Sequence, residues 1–315
     1  MNPDVTQATK LQKRKLLSLD RREALQGYMF VVPWIIGFLV FTAGPLLFSL
    51  YASFTNYDIT SRMDWVGTKN YVRMFTKDPI FPIALKNTLY YVALMVPLTT
   101  VGSVLLAVLL NFKIPGMRVF RTIYYLPAVL SGVAVYMLWM MLLSPEGLIN
   151  IVLGWVGIHG PAWLQDPKWT KEAIVIMRMW GVGGGMLLYL AALQGVPDQL
   201  YEAAEIDGAG SLRKFWHVTV PMITPVIFFD IVTSLIGGFQ IFQEGYVMSD
   251  NNTPGAPMNS LMFYNLHMFL KAFKVFDMGY AMAMAWFLFL IAIIVTIINL
   301  VASKYWVHYE GGDNR

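Results

Sequence analysis

The chemistry available to this 315-residue chain lies in a few polar residues set inside apolar sequence. Asp230, Ser234, Gly237, Gln240 and Glu244 follow one another at steps of four, three, three and four residues. On a helix that spacing puts all five on one face. If the helix enters a membrane near Val220 and rises ~1.5 Å per residue, Asp230 lies ~15 Å deep, close to the bilayer centre. An ionisable group at that depth is costly and points to a polar path through the membrane. Gln240, Gln243 and Tyr246 would add amides and an aromatic face, groups that can line such a path. The alternative is that Asp230 and Gln240 only make hydrogen bonds between helices.

Arg178 is a second buried-charge candidate. Snorkelling to the interface, or pairing with a carboxylate such as Asp230, is favoured over direct contact with a solute. Gly181, Gly183, Gly184 and Gly185 beside it, with Gly237 and Gly238, permit close helix packing or bending. Catalytic signatures are missing. There is no Gly-x-x-x-x-Gly-Lys-Ser/Thr phosphate loop and no Gly-x-Ser-x-Gly elbow. His159, His217, His267 and His308 are too scattered for a metal helix, and with no cysteine there are no disulfides, thiolate metal sites or cysteine nucleophiles. The chain is read as a non-enzyme without a cofactor of its own.

The elements that must position these residues are membrane helices. The sequence is 57% hydrophobic and 13% charged, with mean hydropathy +0.55, outside the range of soluble domains. Apolar runs at 28–50, 87–111, 119–143, 172–193, 220–243 and 281–303 are long enough to span, so the expected fold is all-α and integral to the membrane, with six transmembrane helices. The first run lacks a cleavage site and is read as a retained span. Residues 1–27 and 304–315 are read as cytoplasmic segments flanking a membrane domain, 28–303. Lys and Arg number 13 on the side of the termini and of 197–221, against 9 in the longer loops opposite, which places both termini inside. The modest net charge of +4 follows from loop Lys and Arg and implies no nucleic-acid partner.

One inside loop is built differently. In 197–221, Pro197 can open a helix, with Asp198 and Glu202 suited to its positive end. Gly208 and Gly210 can end it, Ser211 can cap a second short helix over Leu212–His217, and Pro221 marks the next apolar run. The product is a helix-turn-helix at the membrane surface with a small-sided face at Ala203 and Ala204. Glu202, Ala203, Ala204, Gly208 and Pro221 match the spacing of the EAA loop, which this segment resembles, of ABC importer permeases. Val218 and Val220 stand where that family usually has Ile and Leu.

The likeness extends over roughly residues 25–305 and is to the carbohydrate branch, the maltose-type and glycerol-phosphate-type permeases. It is carried by Gly44-Pro45, Ser53 to Asp58, Asn87-Thr88-Leu89, Phe120-Arg121-Thr122 with Leu126-Pro127, Gly147 to Asn150, Trp163-Leu164, and Phe239-Gln240 with Tyr246-Val247-Met248. After Met248 the sequence departs, with Asn251 to Pro257 replacing the usual Gly-Gly-Pro. The resemblance implies a pore-forming subunit working by alternating access. Its partners would be a second permease, two ATPase subunits that bind ATP and Mg, and an extracytoplasmic solute-binding protein. It implies ATPase coupling through Glu202, Ala203, Ala204, Asp207 and Gly208, and location in a bacterial or archaeal cytoplasmic membrane. Asp230, Ser234, Gln240, Gln243 and Tyr246 are the expected substrate path. A secondary, ion-coupled transporter is the alternative; it would show inverted repeats and broken helix pairs, and neither is legible in the sequence.

Overall fold

The computed structural model describes residues 21, 23–60, 63–112, 114–130, 132–249 and 253–308. The expectations for residues 1–20 and 309–315 lie outside them. Among the described residues there is no strand, only one isolated antiparallel bridge between Thr55 and Trp65. The helices are α1 Glu23–Ser53, α2 Lys69–Thr76, α3 Ile80–Leu110, α4 Met117–Val129, α5 Gly132–Leu142, α6 Leu148–Trp155 and α7 Thr170–Trp180. They continue as α8 Gly183–Gln194, α9 Asp198–Ile206, α10 Ser211–Lys214, α11 Val220–Phe239, α12 Gln243–Val247, α13 Tyr264–Phe273 and α14 Met278–Ser303.

Four helical stretches are long and apolar enough to cross a membrane, or up to six if each of two bent pairs counts as one span. The bent pairs correct the expectation of continuous helices at 119–143 and 172–193. Between α4 and α5 the axis turns by 99°. Pro127 lacks an N–H and crowds the preceding turn, and Leu130 has left the helix with φ −70° and ψ 148°. Between α7 and α8 the turn is 47°, at Gly181 and Val182. A Cβ on Gly183 would collide with the Tyr124 carbonyl, so glycine there lets α8 lie directly on α4.

Prolines also shape the long helices. Pro45 and Pro221 each follow a π-helical turn, Leu39–Ala43 and Phe215–Thr219. The carbonyl four residues before each proline, on Phe41 and His217, falls inside the widened turn, which relieves the ring clash without breaking the helix.

α3 is the most buried of the long helices and packs along α7, α8, α11 and α13. One core cluster joins Val104, Ala107 and Leu110 to Met186, Tyr189, Leu193 and Ile223. A larger one centres on Tyr91, Ile174, Phe239, Phe263, Tyr264 and Met284. α1 packs on α14 yet its apolar window is unburied, and α4 buries no residue. Apolar surface of this kind costs nothing against lipid tails or another membrane helix.

Candidate functional site

The 197–221 loop forms as two limbs. Pro197 caps α9 with extended backbone, φ −61° and ψ 130°, and Asp198 sits in the first turn. The helix closes with paired bonds from Gly208 N to Glu205 O, 2.9 Å, and Ala209 N to Ala204 O, 2.8 Å. Gly208 has φ +75°, the left-handed angle this closure needs. Ser211 is not the cap of the second limb. Gly210, with ψ 169°, accepts the first helical bond from Lys214 at 3.0 Å, so Ser211 is already helical. Nor is the second limb a separate helix over Leu212–His217: α10 runs through the π turn straight into α11, with Pro221 in its first turn. Lys214 Nζ donates to Glu205 Oε1 at 2.6 Å across the limbs, holding the Glu205 carboxyl below its ordinary value. Tyr201 and Thr219 hydroxyls meet at 3.1 Å. Glu202, Ala203, Asp207 and Gly208 are exposed, Ala204 is half-buried, and Glu202 has no side-chain partner among the described residues. Ile206 and Leu212 stand out at 88% and 73% exposure.

Both limbs lead to one cavity of about 460 Å³ between α3, α5, α7, α8 and α11, whose lining includes Asp230, Ser234, Gly237, Arg178, Tyr91 and Tyr136. Asp230 ties three helices. Its Oδ2 accepts from Thr100 Oγ1 on α3 at 2.8 Å and from the Tyr189 hydroxyl on α8 at 2.7 Å, and its Oδ1 from Ser234 at 3.4 Å. Asp230 therefore makes the interhelical bonds of the alternative reading and also lines a cavity.

Arg178 pairs with Glu244, not with Asp230. The physical reason is that α11 ends at Phe239: Gln240 caps it, the chain leaves the helix, and α12 restarts at Gln243 against α5. The regular stripe accordingly stops at Gly237. Gln240 lies instead on an apolar groove with Met268 and α14. Gln243 reaches the Tyr136 hydroxyl at 3.5 Å, while Tyr246 stacks on Phe242 at 5.7 Å. Glu244 is 2% exposed. The Tyr91 hydroxyl is buried beside the Arg178 guanidinium.

Other polar residues secure the end of the molecule opposite the loop. Asp78 accepts from His267 Nε2 at 2.8 Å, from the Tyr280 hydroxyl at 2.7 Å and from the N–H groups of Ile80 and Phe81. Burial pushes its carboxyl up, but the bonds from His267 and Tyr280 outweigh it and hold the group at about 2. Burial lowers His267 below its ordinary value against the pull of Asp78. Asn87 Nδ2 donates to the carbonyls of Asn259 and Met262, and Asn150 accepts Trp163 Nε1 at 2.8 Å. The sequence singled out Asn87, Asn150 and Trp163 only as family phrases; Asp78 was missed, although an Asp before Pro79 at a helix start was a usable signal.

Residues 88–306 match the family model described as the binding-protein-dependent transport system inner membrane component. The chain belongs to this family. It is 39% identical over 295 residues to the probable ABC transporter permease protein YesP of Bacillus subtilis, covering 93% of this chain and 95% of the relative. It is 36% identical to the lactose transport system permease protein LacF of Rhizobium radiobacter, covering 91% and 97%. Its fold matches a bacterial ABC transporter involved in the import of the acidic polysaccharide alginate, with TM-score 0.78, 25% identity, and 91% and 98% coverage. As a member of this permease family it is a multi-pass membrane component of an ABC transporter, and its relatives are transport subunits rather than enzymes.

Proposed function

We propose that the chain is one of two pore-forming subunits of an ATP-driven importer that admits a sugar or oligosaccharide by alternating access. The observation that carries this reading is the connection of loop to cavity. The exposed Glu202-Ala203 face sits between α8 and α11, which supply Gly185 and Asp230 to the wall of the cavity and are tied together by the bond from Tyr189 to Asp230. A push on the loop is thereby delivered to the helices that shape the path.

In this reading each bent pair counts as one span, giving six, and both termini lie in the cytoplasm with the loop. Glu202, Ala203, Ala204, Asp207 and Gly208 form the docking face for an ATPase subunit, which binds ATP and Mg. A second permease completes the path, and an extracytoplasmic binding protein delivers solute. Asp230, Ser234 and Gln243 serve the substrate wall. Gln240 and Tyr246 are left out of it, since one lies on an apolar groove and the other packs on Phe242. Relatives named for lactose and alginate support a carbohydrate cargo.

The test is affinity purification of the chain from its own membrane with an ATPase assay on what comes with it. Recovery of a second permease and a phosphate-loop ATPase, with hydrolysis raised by one sugar and its binding protein, supports the reading. A lone chain or homodimer without an ATPase contradicts it.

A further inference from the structure

A saccharide path needs hydrogen-bond donors as well as acceptors, and the inference drawn from this rests on the sugar-path reading above. Among the described residues lining the cavity, Arg178 is the only Lys, Arg or His. Its ion pair with Glu244 is lopsided. The carboxylate is 2% exposed, the arginine side chain 46% exposed. A guanidinium carries N–H donors on each of its nitrogens, set in a rigid planar fork. The pair engages Nη2 with one Glu244 oxygen. Glu244 thus fixes the group at the wall, beside the buried Tyr91 hydroxyl, and further donors are left to the cavity.

We propose that Arg178 contacts the solute directly, donating to saccharide oxygens, and that Glu244 is its positioning residue. A charged donor bonds an oxygen more strongly than a neutral one. Because Glu244 already restricts the long arginine side chain, less rotamer freedom is lost when a solute arrives. Asp230 supplies the complementary acceptor on the same cavity. Its Oδ1 is met only by Ser234, at 3.4 Å, and so has capacity for a sugar hydroxyl. Trp180 and Tyr136 add aromatic surface. The place of Arg178 gives the contact a consequence. It stands on α7 just before the 47° bend at Gly181 and Val182, whereas Asp230 stands on α11, which leads back to the loop. A saccharide held by both would bridge the segment beyond the bend to a helix that carries loop movement.

The purified complex, with its second permease and ATPase subunits and without the binding protein, is titrated calorimetrically with galactobiose and with digalacturonate, a neutral and an acidic saccharide. Arg178→Lys keeps a cation beside Glu244 but removes the planar fork, and should weaken whichever probe the wild type binds by about threefold to tenfold. The double variant Arg178→Gln with Glu244→Gln removes both charges together, so no buried carboxylate is stranded. It should assemble with a melting temperature near that of the wild type, yet weaken the probe by about tenfold or more. Glu244→Gln alone retains the guanidinium and should weaken the probe less than the double variant does. Wild-type affinity in Arg178→Lys, or equal losses in Glu244→Gln and the double variant, overturns the inference and leaves the sugar path standing. If the double variant does not assemble, Arg178→Lys decides alone. Binding of neither probe by the wild type overturns the sugar path itself, and this inference with it.

Discussion

The Tyr189 hydroxyl donates to Asp230 Oδ2 at 2.7 Å, joining the helix that enters the 197–221 loop to the helix that leaves it. The same oxygen accepts from Thr100 on α3 at 2.8 Å, so the two limbs of the loop are also tied to the most buried long helix. Movement at the loop cannot part α8 from α11 without breaking a bond to a carboxylate.

Tyr189→Phe should therefore leave the complex assembled and hydrolysing ATP but lower transported solute per ATP severalfold. Loss of a hydrogen bond to a charged group costs about 1.5–3 kcal/mol. Parallel measurement of uptake and hydrolysis in proteoliposomes checks it; an unchanged ratio would remove the tie from the coupling path.

Glu202 is exposed and has no side-chain partner among the described residues, so its replacement should not disturb the chain's own fold. Glu202→Lys should abolish sugar-stimulated hydrolysis and weaken co-purification of the ATPase subunit, read by pull-down and phosphate release. Normal stimulated hydrolysis would count against a docking role.

Gly208 adopts φ +75° with open space around its Cα, so the cost of a side chain there is backbone strain alone. Gly208→Ala should destabilise the loop by about 1–2 kcal/mol, and a β-branched Val by more. Limited proteolysis between α9 and α10 should quicken in that order, and equal rates would deny that the left-handed angle matters.

The Asp78–His267 contact gives a pH dependence. Folded His267 binds its proton at lower pH than unfolded His267, whose ordinary value is 6.5, so acidification below 6.5 favours the unfolded state. Asp78 acts in the same direction further down: its carboxyl is depressed from 3.8 to about 2, and the stability it adds is lost as pH falls through that window. The melting temperature should fall on acidification from pH 7 to 5, and His267→Gln should flatten that fall. A melting profile unaltered by the substitution would show that His267 does not govern it.

The sequence made the apolar runs and the loop legible because both signals are local. Run length speaks directly to membrane thickness, and Pro197, Gly208 and Pro221 announce their own backbone roles. The break after α4 was hidden because apolar composition continues across Leu130 while the backbone does not, whereas the break after α7 falls at Gly181, a glycine whose freedom to bend was legible. The Arg178–Glu244 pair was hidden for another reason. Helical periodicity carried the stripe past Phe239, where the helix in fact ends, so Glu244 was assigned to the face of Asp230 instead of to a partner across the cavity. Asp230 itself was placed by depth, but its donors Thr100 and Tyr189 come from helices far away in sequence, which no spacing rule reaches.

The most direct test is uptake into proteoliposomes holding this chain with its second permease and ATPase subunits, with ATP enclosed and the binding protein outside, supplied with a mixture of neutral oligosaccharides and read by mass spectrometry of the lumen. The account predicts accumulation of one sugar that requires ATP and the binding protein together and is lost with Glu202→Lys. Accumulation driven by a proton or sodium gradient, with the ATPase subunits absent, would contradict it.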